Sequence, residues 1–176
     1  MLEPDEREQL QYLLRALFLR WGMVNVVDTG VDLDLLSGLK KLINNNQVKG
    51  PQILAMGSSF VGKGGSPFYI KPVHLPEFSS TEQAAKATAG VLKAGADGIK
   101  LFTGSWATPE RVVVMQLDYV KAAATVAHQA GALVFAHPSD SEGAAIAIAG
   151  GVDVLAHSFP AELKAPGLAS LSCFCR

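Results

Sequence analysis

The sequence predicts an α/β fold in which helices alternate with parallel strands. Apolar residues recur at helical spacing in several segments, and each of these segments ends at a glycine. A short run rich in Val, Ile or Leu follows each glycine and closes with a polar residue. This order of helix, glycine, strand and polar residue occurs four times. Such alternation is typical of right-handed βαβ units that build a parallel sheet.

The predicted elements follow one another without a repeat of fixed length. The first helix begins at residue 4 and ends near Gly22, and a strand from Met23 to Asp28 comes next. Glycine suits the helix ends because it adopts the left-handed conformation needed there without steric strain. The other predicted helices are 31–43, 80–94, 108–130 and 141–149, and the other predicted strands are 52–56, 96–102, 132–136 and 152–156.

Composition and charge limit the classes of function. The 176 residues are 49% hydrophobic and 18% charged, with a formal net charge of -1, which is typical of a compact domain. We expect no nucleic-acid partner and, without about 18 consecutive apolar residues, no membrane span. The acidic N-terminus does not resemble a signal peptide, so the compartment is unassigned, with the cytoplasm as default. Cys173 and Cys175 are too few for a disulfide framework or a four-ligand zinc site.

Three polar residues close predicted strands in nearly the same register. Lys100 lies five residues after its glycine, and His137 and His157 lie six residues after theirs. Ligands of parallel α/β folds bind beyond the carboxyl ends of the strands, so these side chains should meet at one edge. Two neutral imidazoles on adjacent strands can bind one divalent ion. The alternative is that each histidine is a hydrogen-bonded strand cap.

Lys100 has three interpretations: a Schiff-base nucleophile, an anchor for a substrate carboxylate, or a metal ligand. A free ammonium has no lone pair to donate, so ligation requires chemical modification. Reaction with carbon dioxide gives a carbamate, which is a bidentate anionic ligand able to bridge two metals. The two histidines nearby favour this third interpretation.

The strand regions also resemble a known family. GADGIKLF, ALVFAHPSD and GAAIAIAGGVDVLAHSFP resemble the fourth, fifth and sixth strand regions of the amidohydrolase superfamily, in its imidazolonepropionase-like and prolidase-like branch. NVVDTG and GPQILAMGSSFVGKGG are similar to its second and third strand regions. The resemblance implies a partial TIM-type (β/α)8 barrel over residues 1–160, followed by an atypical tail, 161–176. It also implies a carbamylated Lys100 that bridges two divalent metals, one of which His137 and His157 bind.

Two ligand sets of that family have no counterpart in this sequence. The family carries His-x-His at the end of its first strand and an aspartate at the end of its eighth. A complete barrel takes about 250 residues, whereas we count five predicted strands and a partial sixth. We therefore expect a truncated chain with little or no hydrolase activity of its own.

The function implied by the resemblance is metal-dependent hydrolysis of carbon–nitrogen bonds in small amide-type substrates, either non-peptide or dipeptide. Zinc is the default metal, with manganese or iron as alternatives. A class I aldolase-like lyase is the rival enzyme, because GADGIK followed by Thr103 and Gly104 also resembles a Schiff-base lysine strand. The third alternative is a non-catalytic barrel fragment, whose open edges would pair with another chain or form a homo-oligomer.

Other polar segments have simpler interpretations. Residues 57–64 nearly match a P-loop, but Gly64 replaces the required hydroxyl, so a flexible loop over the barrel mouth is expected. We expect Asp28 to serve a turn, His128 to be structural and His74 to be a solvated loop residue.

Overall fold

Helices and strands alternate through residues 3–158, the part of the chain that the computed structural model describes. The predicted tail, 161–176, lies outside these residues. The helices are α1 (Pro4–Leu17), α2 (Leu33–Asn44), α3 (Thr81–Lys93), α4 (Leu117–Gln129) and α5 (Ser141–Ala149). The strands are β1 (Asn25–Asp28), β2 (Gln52–Ala55), β3 (Phe60–Gly62), β4 (Glu77–Phe78), β5 (Gly98–Phe102), β6 (Gly104–Thr108), β7 (Arg111–Val114), β8 (Leu133–His137) and β9 (Val154–Leu155).

The strands that follow helices are parallel to one another. β1 pairs with β2, and a second sheet has the order β4-β3-β5-β8-β9. Asp97 connects the two sheets, because its N–H donates to the Ala55 carbonyl at 2.7 Å and its carboxylate accepts the Ala55 N–H at 2.8 Å. β2 and β3 therefore both adjoin β5, β2 at its start and β3 near its end. The predicted α/β class with a parallel sheet is confirmed.

The core lies between the sheet and helices α3 and α4. Ile99 and Leu101 of β5 and Val134 and Ala136 of β8 are fully buried and belong to one cluster with the apolar faces of these helices. These four residues alternate along their strands with a second set that faces away from the helices. That second set carries the candidate site.

The helix ends agree with the expected role of glycine. Gly95, Gly131 and Gly151 follow α3, α4 and α5 with φ angles of 104°, 71° and 84°. These values lie in the left-handed region, where an L side chain would be strained. At the other end, Asp140 caps α5 by accepting the Gly143 N–H at 2.8 Å.

The predicted helix 108–130 is wrong in its first third. β6 and β7 form an antiparallel hairpin through Thr108 and Arg111, and α4 begins only at Leu117. The run Val112–Val114 explains the difference, since β-branched side chains favour strands and the preceding Pro109 favours a turn. β6 is the largely buried strand of the hairpin, and its Ser105 hydroxyl donates to the Gly65 carbonyl at 2.5 Å.

The glycine-rich stretch 57–64 is also not the flexible loop that the sequence suggested. Phe60 and Val61 belong to β3 inside the sheet and are 5% and 0% exposed. Phe60 stacks on Phe78 with ring centroids 4.7 Å apart. Glycines flank this short strand, so a prediction based on turn-forming residues treats the whole segment as a loop.

Within residues 3–158, no helix is both long enough and apolar enough to cross a bilayer.

Candidate metal centre and its cavity

The face of β5 and β8 that points away from the helices carries polar and aromatic side chains. Lys100 lies opposite Phe135, and Phe102 lies opposite His137. Residues two apart in a strand share a face, so Lys100 and Phe102 both face the side that His137 occupies. β9 continues the sheet beyond β8, and His157 follows two residues after its end. The structure thus brings the three predicted site residues together, but Lys100 lies in the middle of β5 rather than closing it, whereas His137 ends β8 and His157 follows β9.

Lys100 is the most deeply buried ionisable group of this site, with 2% of its surface exposed. Its Nζ lies 5.5 Å from the centroid of the Phe102 ring. Among residues 3–158 the amine has neither a hydrogen-bond acceptor nor a carboxylate partner within bonding distance. Burial lowers the pKa of Lys100 from its ordinary 10.5 to about 8, because an uncompensated ammonium loses its hydration.

The two histidine rings contact each other. Their centroids are 4.6 Å apart with an angle of 64° between the planes, so one ring meets the other at its edge. Phe102 stacks on the opposite side of His137 at 4.7 Å, with an interplanar angle of 28°. Burial, the charge of His157 and the charge of Lys100 lower the pKa of His137 to about 4. Partial burial and Lys100 also lower the pKa of His157. Neutral imidazoles, which can donate a lone pair, are therefore favoured at neutral pH.

The backbone after His137 is tightly held. Ser139 has a φ angle of 54°, which is uncommon for a non-glycine residue, and its hydroxyl donates to the Gly104 carbonyl at 2.9 Å. A Cβ atom at either Gly104 or Gly143 would overlap the Pro138 carbonyl oxygen. The turn that follows β8 is thus fixed between the start of β6 and the start of α5.

A cavity of about 550 Å³ opens beside the three residues. Its walls come from the turn after β1, the residue before β3, the loop before β4 and the ends of β5 and β8. The lining residues are Thr29, Gly30, Ser59, Tyr69, Ile70, Val73, Leu75, Lys100, Phe102, His137 and His157. A cavity of this size suits a small organic molecule.

Most of the residues that line this cavity were not predicted from the sequence. Phe102 could have been found from strand alternation, because it lies two residues after Lys100. Ser59 gives no signal, since its position depends on how β3 enters the sheet. Tyr69 and Val73 lie in a loop, where apolar residues are common without any function.

The remaining polar residues behave as expected. Asp28 accepts the backbone N–H groups of Gly30 and Val31 at 3.1 and 2.8 Å, which is a turn role. His128 lies 3.0 Å from Asp153 and joins α4 to the start of β9. His74 is exposed in the loop before β4.

No group of three His, Cys, Asp or Glu side chains that could hold a metal ion occurs within residues 3–158. The candidate set has two histidines, and its third member, Lys100, is not a ligand unless it is modified. The role of Lys100, His137 and His157 as metal ligands stays a prediction.

Comparisons with known proteins give structural matches only. No family model matches the chain, and no curated protein matches it significantly. A Bifidobacterium longum protein assigned as a prolidase is 28% identical and superposes with a TM-score of 0.67 over 84% of this chain. A Xaa-Pro dipeptidase with bound methionine is 22% identical, with a TM-score of 0.70 over 88% of the chain. An amidohydrolase is 22% identical, with a TM-score of 0.65 over 84%.

These matches cover 36%, 42% and 40% of the respective neighbours, so the chain spans about two fifths of their length. Likenesses at 22% identity show the fold alone. At 28% identity, the Bifidobacterium longum protein shares some sequence similarity with this chain as well as the fold. Over most of its length, the chain is thus similar in structure to prolidase, dipeptidase and amidohydrolase proteins, which have TIM-type barrels.

Proposed function

We propose that this chain carries metal-binding residues of a hydrolase that cleaves carbon–nitrogen bonds in small amide-type molecules. The observation that supports this most directly is the contact between His137 and His157 beside the buried Lys100. The neighbours include a prolidase and a dipeptidase, names given to enzymes that hydrolyse amide bonds.

The donor set fits a divalent ion. Zinc–nitrogen bonds are about 2.0–2.1 Å long, so the centroids of two imidazoles on one tetrahedral ion lie about 5.2 Å apart. The observed 4.6 Å is slightly shorter, so a small separation of the two rings would admit an ion. The lowered pKa values of both histidines favour the neutral form that binds metals. Imidazole suits zinc, with manganese and iron as further candidates.

Lys100 could supply the third ligand, because its amine can be converted into a carbamate. With a pKa of about 8, a larger fraction of this amine is neutral at neutral pH than in an exposed lysine. The neutral amine attacks carbon dioxide, a carbon–nitrogen bond forms and one proton is released, leaving an anionic carbamate. That anion would replace an uncompensated buried cation with a partner for a divalent ion.

A bound divalent ion polarises a substrate carbonyl and lowers the pKa of water toward neutrality. Within this chain, His137 and His157 would hold the ion, Phe102 would fix the plane of the His137 ring, and Lys100 would supply negative charge. The cavity of about 550 Å³ would receive the substrate. Little or no turnover by the chain alone stays a prediction.

Metal content tests this proposal. Thiolates are zinc ligands, so the experiment uses the full chain with Cys173 and Cys175 changed to Ser. We expect bound zinc after dialysis, and we expect at least a tenfold weaker affinity when His137→Ala and His157→Ala are combined. His74→Ala is the matched control, because this exposed histidine lies outside the cavity.

Two results would contradict the proposal. One is zinc affinity that is the same in the double histidine variant and in the His74→Ala control. The other is the absence of zinc binding by the serine-substituted chain. Carbon-13 NMR after equilibration with labelled bicarbonate would report the carbamate, which Lys100→Arg should abolish.

A Schiff-base lyase would use the same low pKa of Lys100. Borohydride reduction in the presence of a carbonyl substrate would trap the lysine in that case. A Schiff-base mechanism does not use the contact between the two histidines. Metal-dependent hydrolysis does use it and is therefore the better supported function.

A further inference from the structure

β1 has one edge that pairs with no other strand within residues 3–158. Its other edge pairs with β2. The carbonyl groups of Val24 and Asp28 accept hydrogen bonds from the β2 side at 2.8 and 2.9 Å, so these residues direct their backbone polar groups toward β2. Alternate residues of a strand direct these groups to opposite sides, so Asn25 and Val27 direct theirs away from β2. The N–H and C=O groups of Asn25 and Val27 are therefore available to a further strand.

The free edge of β1 lacks the features that usually prevent strand pairing. Edge strands of native proteins often carry lysine, proline or a bulge at such an edge. β1 has the sequence Asn-Val-Val-Asp, and its register with β2 is regular over all four residues. Its one charged side chain, Asp28, already accepts two backbone N–H groups of the turn that follows. The edge is therefore open to a further strand.

Exposed apolar side chains accompany this edge. Leu13 and Leu17 lie one helical turn apart on α1. The Trp21 indole N–H donates to the Ala16 carbonyl at 3.2 Å, which holds the ring against the end of the helix. The Met23 N–H donates to the Phe18 carbonyl at 3.2 Å, which joins the start of β1 to the same helix end. We call the following six residues, which are 39–64% exposed, the α1–β1 surface: Leu13, Leu17, Trp21, Met23, Val24 and Val27.

The size and the charges of the α1–β1 surface fit a second copy of this chain. The exposed area of its six residues is roughly 700 Å², close to the value of about 800 Å² per partner that is usual for a specific protein–protein interface. Glu6 precedes Leu13 by seven residues and shares its face of α1, and Arg20 follows shortly after the helix. Both charged residues are exposed. An antiparallel arrangement of two copies brings Glu6 of each copy toward Arg20 of the partner subunit, so the charges are complementary.

We infer that the α1–β1 surface is the interface of a symmetric homodimer in which the β1 strands of two copies pair antiparallel. A twofold axis makes both α1 and β1 antiparallel to their counterparts, so one arrangement satisfies the strand edge and the charges of the helix. Asn25 then pairs with Val27 of the partner subunit through backbone hydrogen bonds. Val26 lies at the axis, with its Cα about 4.5 Å from that of Val26 of the partner subunit. The inference does not depend on the proposed metal centre.

Sedimentation velocity tests the stoichiometry. The full chain with Cys173→Ser and Cys175→Ser is used, so that native thiols cannot link two copies. We expect a dimer at about 50 µM and above. Val27→Lys adds a charge at the interface and should weaken the association at least about tenfold. Leu133→Lys is the matched control and should leave the dimer intact, because Leu133 is a 48% exposed apolar residue of a different strand, β8.

Cysteine cross-linking tests the strand pairing. In the same serine-substituted chain, Val26→Cys should form a disulfide between two copies under mild oxidation, because disulfides join Cα atoms about 4.4–6.8 Å apart. Leu133→Cys should stay unlinked on a non-reducing gel.

Four results would overturn the inference. They are a monomer at 50 µM, assembly beyond a dimer, equal effects of Val27→Lys and Leu133→Lys, and a Val26→Cys chain that links no more than Leu133→Cys does. Far-UV circular dichroism checks the fold of each variant. If Val27→Lys does not fold, the cross-linking of Val26→Cys decides the outcome.

Discussion

At the scale of single residues, Lys100 combines deep burial with the absence of a counterion in the described part of the chain. An ammonium in this position loses much of its hydration and receives only the weak attraction of the Phe102 ring at 5.5 Å. The folded, metal-free chain is therefore destabilised whenever Lys100 is protonated. If Lys100 were a metal ligand, the unfavourable burial of its ammonium would be replaced by a specific interaction with the ion.

The first prediction concerns pH. The unfolded chain binds a proton at Lys100 with a pKa near 10.5 and the folded chain with a pKa of about 8. Between these values the unfolded state binds more protons, so the free energy of unfolding rises with pH, by about 3 kcal/mol in total. Urea denaturation in metal-free, carbon-dioxide-free buffer measures this. Lys100→Met should remove the rise, whereas Lys86→Met, at an exposed position, should retain it.

The second prediction concerns the turn after His137. Gly143→Ala places a methyl group against the Pro138 carbonyl oxygen and within 3.0 Å of the Gly104 backbone. Overpacking against backbone should cost about 3 kcal/mol or more and should also weaken zinc binding, because His137 moves. Gly90→Ala on α3 meets no atom within 4 Å and should be neutral or stabilising. Similar denaturation midpoints for the two variants would refute the proposed close packing.

At the scale of elements, two aspartates join helix to sheet in the same way. Asp153 precedes β9, accepts the Val134 N–H at 2.8 Å and pairs with His128 at 3.0 Å. Asp97 precedes β5, accepts the Ala55 N–H at 2.8 Å and pairs with Lys40 at 2.6 Å. Each carboxylate thus continues the hydrogen bonding of the preceding strand and holds the helix that leads into that strand.

The third prediction separates these two contacts. Asp153→Ala leaves the Val134 N–H unsatisfied at a residue with 0% exposure, so it should cost about 1–3 kcal/mol. The pair with His128 is 44% and 31% exposed, so a double-mutant cycle should give a coupling of only about 0.2–1 kcal/mol. A coupling as large as the whole effect of Asp153→Ala would show that the ion pair dominates.

The sequence was most informative where local signals agree with the fold. α5 was predicted at its observed bounds and His137 at the end of its strand, because glycines and apolar runs mark these βα units, whereas Lys100 was expected to close its strand and lies in the middle of β5. The hairpin 104–114 was missed because its strands pair with each other and lack a preceding helix. β3 was missed because its burial depends on β4 and β5, which is a tertiary effect.

At the scale of the whole molecule, the candidate ligands come from β5, β8 and the end of β9. These strands are neighbours in one sheet, and their order is β5-β8-β9. A cation that contacts all three would connect elements separated by about a third of the chain. Metal binding and global unfolding should therefore be linked.

The last prediction follows from this linkage. In the chain with Cys173→Ser and Cys175→Ser, zinc at about a hundred times its dissociation constant should raise the free energy of unfolding by about 2.7 kcal/mol, and chelation should reverse the effect. Magnesium should give little stabilisation, since it prefers oxygen ligands. Thermal unfolding measures both. His157→Ala should reduce the zinc effect, because one of two imidazoles is lost, whereas an unchanged effect would mean that the stabilising ion binds away from β9.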